Sequence, residues 1–253
     1  MQFLLARIAF VIFAALPFLD AGAQTLYFVT EDLPPFNYQE NGAAAGPMAA
    51  VVQSVCAQMK VTCKIDLLPW RRSILLAEQG KVDAVFSIRN SPERARIFYF
   101  STPVVDTAYS LYARDSSKFV FHGNQDLAGH TVGVYGPSGT SITLDELLKS
   151  VSGAKTVTEI DNISVLRLLS TGGYGDDGLI FINRDVADFM IQKTGIRNLR
   201  KVIDVKKMQY CIAFSKTSIS ESQFRRFDDT LNLQMRDGTV KAILDKYKLK
   251  QAD

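Results

Sequence analysis

Across its 253 residues the chain sets 29 lysines and arginines against 26 acidic side chains, a net charge of +3 that is too slight to mark a nucleic-acid or membrane-binding surface. A hydrophobic content of 47% supports real packed cores, while two histidines with no ligand spacing argue against a zinc site. Once a leader is set aside, about 230 residues remain, enough for one large or two modest lobes.

The leader is residues 1–23. MQFLLAR supplies a short n-region with Arg7, IAFVIFAALPFL supplies an apolar core, and Ala21-Gly22-Ala23 forms a small-x-small cleavage site. A membrane anchor would need about 20 apolar residues, and Pro17 and Asp20 interrupt this run. Cleavage before Gln24 is therefore the expectation. No cysteine follows at the position a lipoprotein needs, so a freely soluble exported protein is expected.

Strand-like and helix-like stretches then alternate: TLYFVT, PMAAVVQSVCAQM, KIDLL, RRSILLAEQG and DAVFSI. A second series runs TVGVY, SITLDELLKSV, KTVTEI, SVLRLLSTG, GLIFI and DVADFMIQKTG. Such alternation predicts an α/β fold with parallel strands. ESQFRRFDDTLNLQMRDGTVKAILDKYKL reads as two helices separated by Asp237-Gly238.

Leu75-Leu76 precede Gly80 and Asp83 at the same offsets at which Leu168-Leu169 precede Gly173 and Asp176. Each series thus ends a helix at glycine and begins a strand. Helix-stop glycines are common, but the echo favours two similarly built lobes over one continuous sheet. YSLYARD (109–115) and QYCIAF (209–214) read as extended crossings. They divide the chain into a first lobe of residues 24–110 and 213–253 and a second of residues 111–212. Two parallel crossings of this kind form a hinge.

Three cysteines in an exported chain leave one unpaired. VCAQM reads as a helix end and TCKIDLL as a strand start, so a tight turn brings Cys56 and Cys63 together; two reduced thiols are the alternative. The bridge closes a loop of about eight residues, which puts its stabilisation near the lower end of 2–4 kcal/mol. Cys211, in YCIAF, is expected to be a buried thiol.

Several residues stand out chemically. SPERARIFYFSTPVV (91–105) sets a cationic cluster against an aromatic, strand-like run. GPSGTSITLDEL reads as a glycine-rich turn feeding a helix, where Ser138, Gly139 and Thr140 would offer backbone N–H groups and hydroxyls to an anion. Ordinary capping by Thr140 or Ser141 is compatible with that role. Trp70 and Tyr135 are candidate aromatic walls, with the first lobe's core as the other place for Trp70. Arg72 stands near a helix N-terminus, where the dipole disfavours a cation, so it is expected to face another partner.

Other chemistry lacks its signature. His122 and His130 sit in the polar FHGNQDLAGH, and no G-x-S-x-G nucleophile elbow occurs. TGGYGDDG shares only its glycines with a phosphate loop.

EDLPPFNY, PWRRSILLAEQGKVDAVFS, SPERARIFYFSTPVV and DLAGHTVGVYGPSGTS, in this order, make the chain from about Leu26 to Lys248 resemble the amino-acid-type periplasmic solute-binding proteins, family 3. The resemblance implies a two-lobed periplasmic-binding-protein-like fold with two hinge strands and a ligand cleft, a periplasmic location and delivery of the ligand to an ABC-type membrane transporter. It also implies that Arg94 grips the ligand's α-carboxylate, with the strand end Ser87, Ile88 and Arg89 beside it. A guanidinium fork matches a carboxylate independently of any family; Arg96 is expected to decorate a helix start.

The chain departs from the pattern in three places. Arg89 stands where small polar residues are commoner. Asn183 stands where an aspartate usually meets the ligand's ammonium group, with Asp185 as a substitute under a different gap. Leu33 replaces an aromatic. An organic acid, or a ligand whose amine is met by Glu31 or Asp32, becomes plausible on those grounds.

The expected protein is a binding protein, a monomer with no cofactor, no metal and no nucleic-acid partner, taking a small carboxylated ligand. A dehydratase acting on prephenate-like acids on the same architecture, with Glu31 or Asp32 as acid or base, is the enzyme alternative. A sensor module is the other.

Overall fold

The computed structural model describes residues 25–253. The expected signal peptide lies outside the described residues.

In chain order the first half comprises β1 (Thr25–Thr30), a hairpin of β2 (Tyr38–Glu40) and β3 (Ala43–Ala45), α1 (Pro47–Met59), β4 (Thr62–Leu67), α2 (Trp70–Glu78), β5 (Ala84–Ile88), α3 (Pro92–Ala95), β6 (Phe98–Phe100) and β7 (Val105–Arg114). There follow β8 (Thr131–Tyr135), α4 (Gly139–Leu148), β9 (Lys155–Glu159), α5 (Asn162–Thr171), β10 (Leu179–Asn183), α6 (Arg184–Thr194) and the long β11 (Leu199–Ser215). The chain closes with α7 (Glu221–Arg236), α8 (Thr239–Asp245) and β12 (Lys250–Gln251). Asp237-Gly238 separates the last two helices, with Gly238 in the left-handed region at φ 85°.

Local chemistry explains the elements. α1 starts with Pro47 in its first turn and buries Met48, Val51, Val52, Val55, Cys56 and Met59, an apolar stripe at helical spacing. Ser220 caps α7, and Gln223 answers with its side chain on the Ser220 amide. Phe28 on β1 meets Phe214 on β11 and Phe227 on α7 at centroid separations of 5.7 and 5.9 Å, which ties the returning C-terminal helix to the first half. Each such fully buried aromatic contributes about 1.5–3 kcal/mol by leaving water.

Strand order is β4-β1-β5-β11-β7-β10-β8-β9. β1 runs parallel to β4 and β5, and β8 runs parallel to β9 and β10. The two halves are joined by β7 and β11, which pair antiparallel from Val105↔Tyr210 to Arg114↔Leu199. Beyond Tyr210 the same strand β11 pairs with β5 and β6.

Three expectations are corrected here. The hydrogen-bonded ladder is continuous, because one strand serves both halves, rather than divided into two separate sheets. The crossing strands run antiparallel to one another, since the chain leaves on β7 and returns on β11. The echo between the halves holds only loosely: Gly80 is left-handed at φ 66° and β5 follows Asp83 directly, whereas in the second half Gly172, at φ 81°, ends α5 and β10 starts only after the Asp176-Asp177-Gly178 turn.

Cys56 and Cys63 form a disulfide across the α1–β4 turn, with a Cα–Cα distance of 6.1 Å. Cys211 is a buried free thiol whose pKa burial pushes up to about 12. Among the described residues no helix is long and apolar enough to cross a membrane.

Candidate ligand-binding cleft

The strand ends of both halves and the two crossing strands enclose a narrow cavity of about 30 Å³, room for little more than a water or two. The first half contributes Glu31, Trp70, Ser87, Ile88, Arg89 and Arg94. From the second come Tyr135, Ser138, Gly139, Thr140 and Asn183. Eleven of the twelve residues singled out for the ligand thus meet in one place, brought together from stretches far apart in the chain.

Arg72 is the exception. It is exposed and lines a neighbouring groove between α2 and the start of α4, which shares Trp70, Arg94 and Ser138 with the cavity. It lies on the first turn of α2, turned out along the groove while Ser73 faces inward and is buried. Leu33 does line the cavity.

Ser87 sits at the centre of the first-half wall. Opposite β11, Phe86 pairs with Ile212 and Ile88 with Cys211, so Ser87 is the extra residue of a β-bulge. Its φ is +58°, a left-handed conformation uncommon outside glycine. A buried network holds it there: the Ser87 hydroxyl donates to Asn37 Oδ1, and the Asn37 amide donates to Thr30 Oγ1 at 3.1 Å and to the Glu31 carbonyl. Thr30 in turn donates to the Phe86 carbonyl at 3.0 Å. The loop after β1 is thereby locked to the end of β5.

Arg94 is half-buried on the short α3, capped by Ser91. Its Nη1 donates to the Arg89 carbonyl at 3.2 Å, and its guanidinium lies 5.7 Å from the Trp70 ring centre, a cation–π contact. Desolvation, and then the charge of Arg89, hold its pKa below the ordinary value. Arg96, by contrast, is exposed. Trp70 fills both of its expected places, since it borders the cavity and also packs on the cluster of Val29, Val85 and Ile88.

Across the cleft, α4 begins at Gly139 and is capped by Ser138, not by Thr140 or Ser141. The Ser138 hydroxyl accepts from the amides of Thr140 and Ser141, and Ser141 Oγ accepts from the Ser138 amide at 3.0 Å. The extended backbone of Ser138 (φ −154°) suits it for this position, which the helix start at Gly139 assigns to it.

Asn183 is spent on structure. Its Oδ1 accepts from the amides of Asp185 and Val186 at the start of α6, and its Nδ2 donates to Thr107 Oγ1 at 2.9 Å and to the Tyr210 hydroxyl at 3.4 Å. Asp185 does not line the cavity: it pairs with Arg184 at 3.1 Å and accepts from Thr107. That finding corrects the expectation that Asp185 could stand in for Asn183.

Glu31 accepts a hydrogen bond from the Tyr135 hydroxyl at 3.1 Å, a contact between the two halves. Burial, aided by nearby Asp32, raises its pKa to about 7 against the opposing pull of that hydrogen bond. Asp32 is exposed, with a pKa raised by partial desolvation.

Tyr109, Tyr210 and Asn162 also line the cavity and were not singled out. The two tyrosines stand on the crossing strands, whose signal was already present in YSLYARD and QYCIAF; strands that join two halves necessarily floor the gap between them. Tyr109 packs its hydroxyl against the Gly139 backbone, where a Cβ would approach it to 3.1 Å. Neither histidine lines the cavity, and among the described residues no three His, Cys, Asp or Glu groups gather to hold a metal.

Solved structures with this architecture include a histidine kinase sensor domain similar to periplasmic binding proteins (TM-score 0.79, 23% identity, 91% of this chain and 99% of that one). An ancestral arginine-binding protein bound to arginine matches with a TM-score of 0.76 and 21% identity over 88% of this chain and 98% of its own. The protein thus has the two-lobed fold of periplasmic binding proteins. In sequence it is 27% identical over 226 residues to the amino-acid-binding protein AabA of Dichelobacter nodosus, covering 85% of this chain and 84% of that one. Residues 27–250 match the family model of bacterial extracellular solute-binding proteins, family 3, and the chain belongs to that family of binding proteins.

Proposed function

We propose that the protein is exported through its cleaved leader to the periplasm, captures a small carboxylated solute between its lobes as a monomer, and hands it to an ABC-type membrane transporter. Residues 24–110 with 213–253 and residues 111–212 form the two moving bodies, bending at β7 and β11. The observation that carries this reading is Arg94, a half-buried guanidinium at the cavity wall that forms no ion pair among the described residues.

The ligand docks first on Arg94 and the Ser87–Arg89 strand end. Closure adds Ser138, Gly139 and Thr140 from the other lobe. Only the closed form touches the ligand from both sides, and this differential affinity drives the closure. Amino-acid capture by the Dichelobacter nodosus relative supports the ligand class. Likeness to a kinase sensor domain supports a second use of the same capture, as the input to a signalling partner.

Arg94→Ala removes a charge-assisted bond of roughly 1.5–3 kcal/mol, so calorimetric affinity for the co-purifying ligand is expected to fall about tenfold or more. Unchanged affinity in a folded variant would overturn the assignment.

A further inference from the structure

The cavity is electrically lopsided. Arg89 and Arg94 both border it, and Arg89 lowers the Arg94 pKa through its charge, so the two guanidiniums are close neighbours. Among the described residues neither has an anionic partner, while Arg114, Arg184 and Arg225 are each paired with acids elsewhere. The Arg89 Nε is buried with no hydrogen-bond acceptor at all. Two adjoining cations, one with a stranded donor, are costly to hold out of water unless an anion meets them.

Opposite charge reaches them only without an ion pair: Glu78 and Glu93, neither of which lines the cavity, favour the Arg94 charge less than burial and Arg89 oppose it. Glu31 is the one acid among the lining residues; its Oε2 is engaged by Tyr135, and burial raises its pKa to about 7, so that near neutral pH it carries only part of a negative charge. The Asn183 Oδ1, at the position where an aspartate was expected to meet a ligand ammonium, is taken by two backbone amides of α6. The Ser87 hydroxyl donates to Asn37, and Asp185 faces Arg184. A cationic group entering this site would lose its water and gain two positive neighbours.

We infer that the cleft selects a small dicarboxylic acid without an ammonium group over the α-amino acid of the same skeleton. This rests on the solute-binding reading above and deepens it. One carboxylate meets Arg94, and the second charge is met by Arg89, which supplies its unpartnered Nε as a donor. The arginine that departs from the expected small polar residue, and the asparagine that departs from the expected aspartate, then serve one change of specificity.

The test uses matched pairs: L-malate against L-aspartate, and L-2-hydroxyglutarate against L-glutamate, titrated calorimetrically into the full mature chain freed of bound ligand. Each hydroxy acid is expected to bind about tenfold or more tightly than its amino partner, and Arg89→Ala is expected to erase most of that preference. Asn183→Asp retains the oxygen that caps α6 but loses the Nδ2 donor to Thr107 and Tyr210, so it is compared only if it folds, and its added carboxylate is then expected to weaken hydroxy-acid binding. Melting curves confirm that each variant is folded. An amino acid binding as well as its hydroxy partner, with Glu31→Gln abolishing that binding, would overturn the specificity while leaving the solute-binding reading intact. Silence from all four acids would also overturn it. Mass spectrometry of the molecule co-purifying with the untreated protein then judges the broader reading by itself, since any small solute released from the native chain upholds capture.

Discussion

The Tyr135 hydroxyl reaches across the cleft to Glu31 Oε2 at 3.1 Å, joining the end of β8 to the loop after β1. The contact places a carboxyl group whose pKa burial has raised to about 7 at the seam between the lobes. Tyr135 in turn has its own pKa raised by burial and by Glu31.

The sign of the pH effect follows. In the folded protein Glu31 holds its proton more tightly than in the unfolded chain, where its value is near 4.5. Its contribution to stability is therefore greatest below about pH 4.5 and is lost as pH rises to about 7. The melting temperature of the ligand-free protein is expected to carry a downward trend across that window, of roughly 2–4 °C for each kcal/mol lost. Glu31→Gln is expected to flatten it. An identical pH profile in that variant would remove Glu31 from the account.

Asn183→Ala takes away the α6 cap and the donor shared by Thr107 and Tyr210. A cap is worth about 1 kcal/mol and a buried polar group left unpaired costs roughly 1–3 kcal/mol. Chemical denaturation should show a loss within the sum of those figures. A neutral result would mean that the amide is free to serve a ligand instead.

Ser87→Ala leaves Asn37 Oδ1 without its donor and keeps a left-handed residue at the bulge. Destabilisation of about 1–3 kcal/mol is expected, with weaker ligand binding because the strand end shifts. Ser87→Gly suits the positive φ and is expected to be the milder change in the same denaturation series.

Replacing Cys56 and Cys63 together by serine opens a loop with a sequence separation of 7. Stability is expected to drop by about 2 kcal/mol, and a reducing agent should lower the melting temperature of the unaltered protein but not that of the variant. Cys211 is buried, with its thiol pKa raised, so it should react with thiol reagents only after unfolding.

Much of the cleft could be read before the fold was known because its parts are short and local. SPER announces a cap followed by a cation, and GPSGTS announces a turn into a helix whose first amides are free to be capped. The roles of Asn183 and Arg72 could not be read this way. An asparagine before a helix looks the same whether its oxygen faces the helix amides or the cavity, and Thr107 and Tyr210, which settle the matter, lie on strands distant in sequence. Glu31 offers another case, since its pKa is set by burial and by a hydrogen bond from Tyr135, a residue distant in sequence.

By itself the sequence determined the alternation of strands and helices, the helix stops, the candidate cysteine pair and the kinds of side chain available to a carboxylate, because these follow from periodicity, backbone preference and bonding chemistry within a few residues. Tertiary structure alone decided that one long strand serves both lobes, that Ser87 is the bulged residue, and that two arginines face a cavity with almost no opposing charge. Strand pairing, burial and charge balance depend on which distant groups are brought within a few ångströms of one another, and that information resides in no single stretch of the chain.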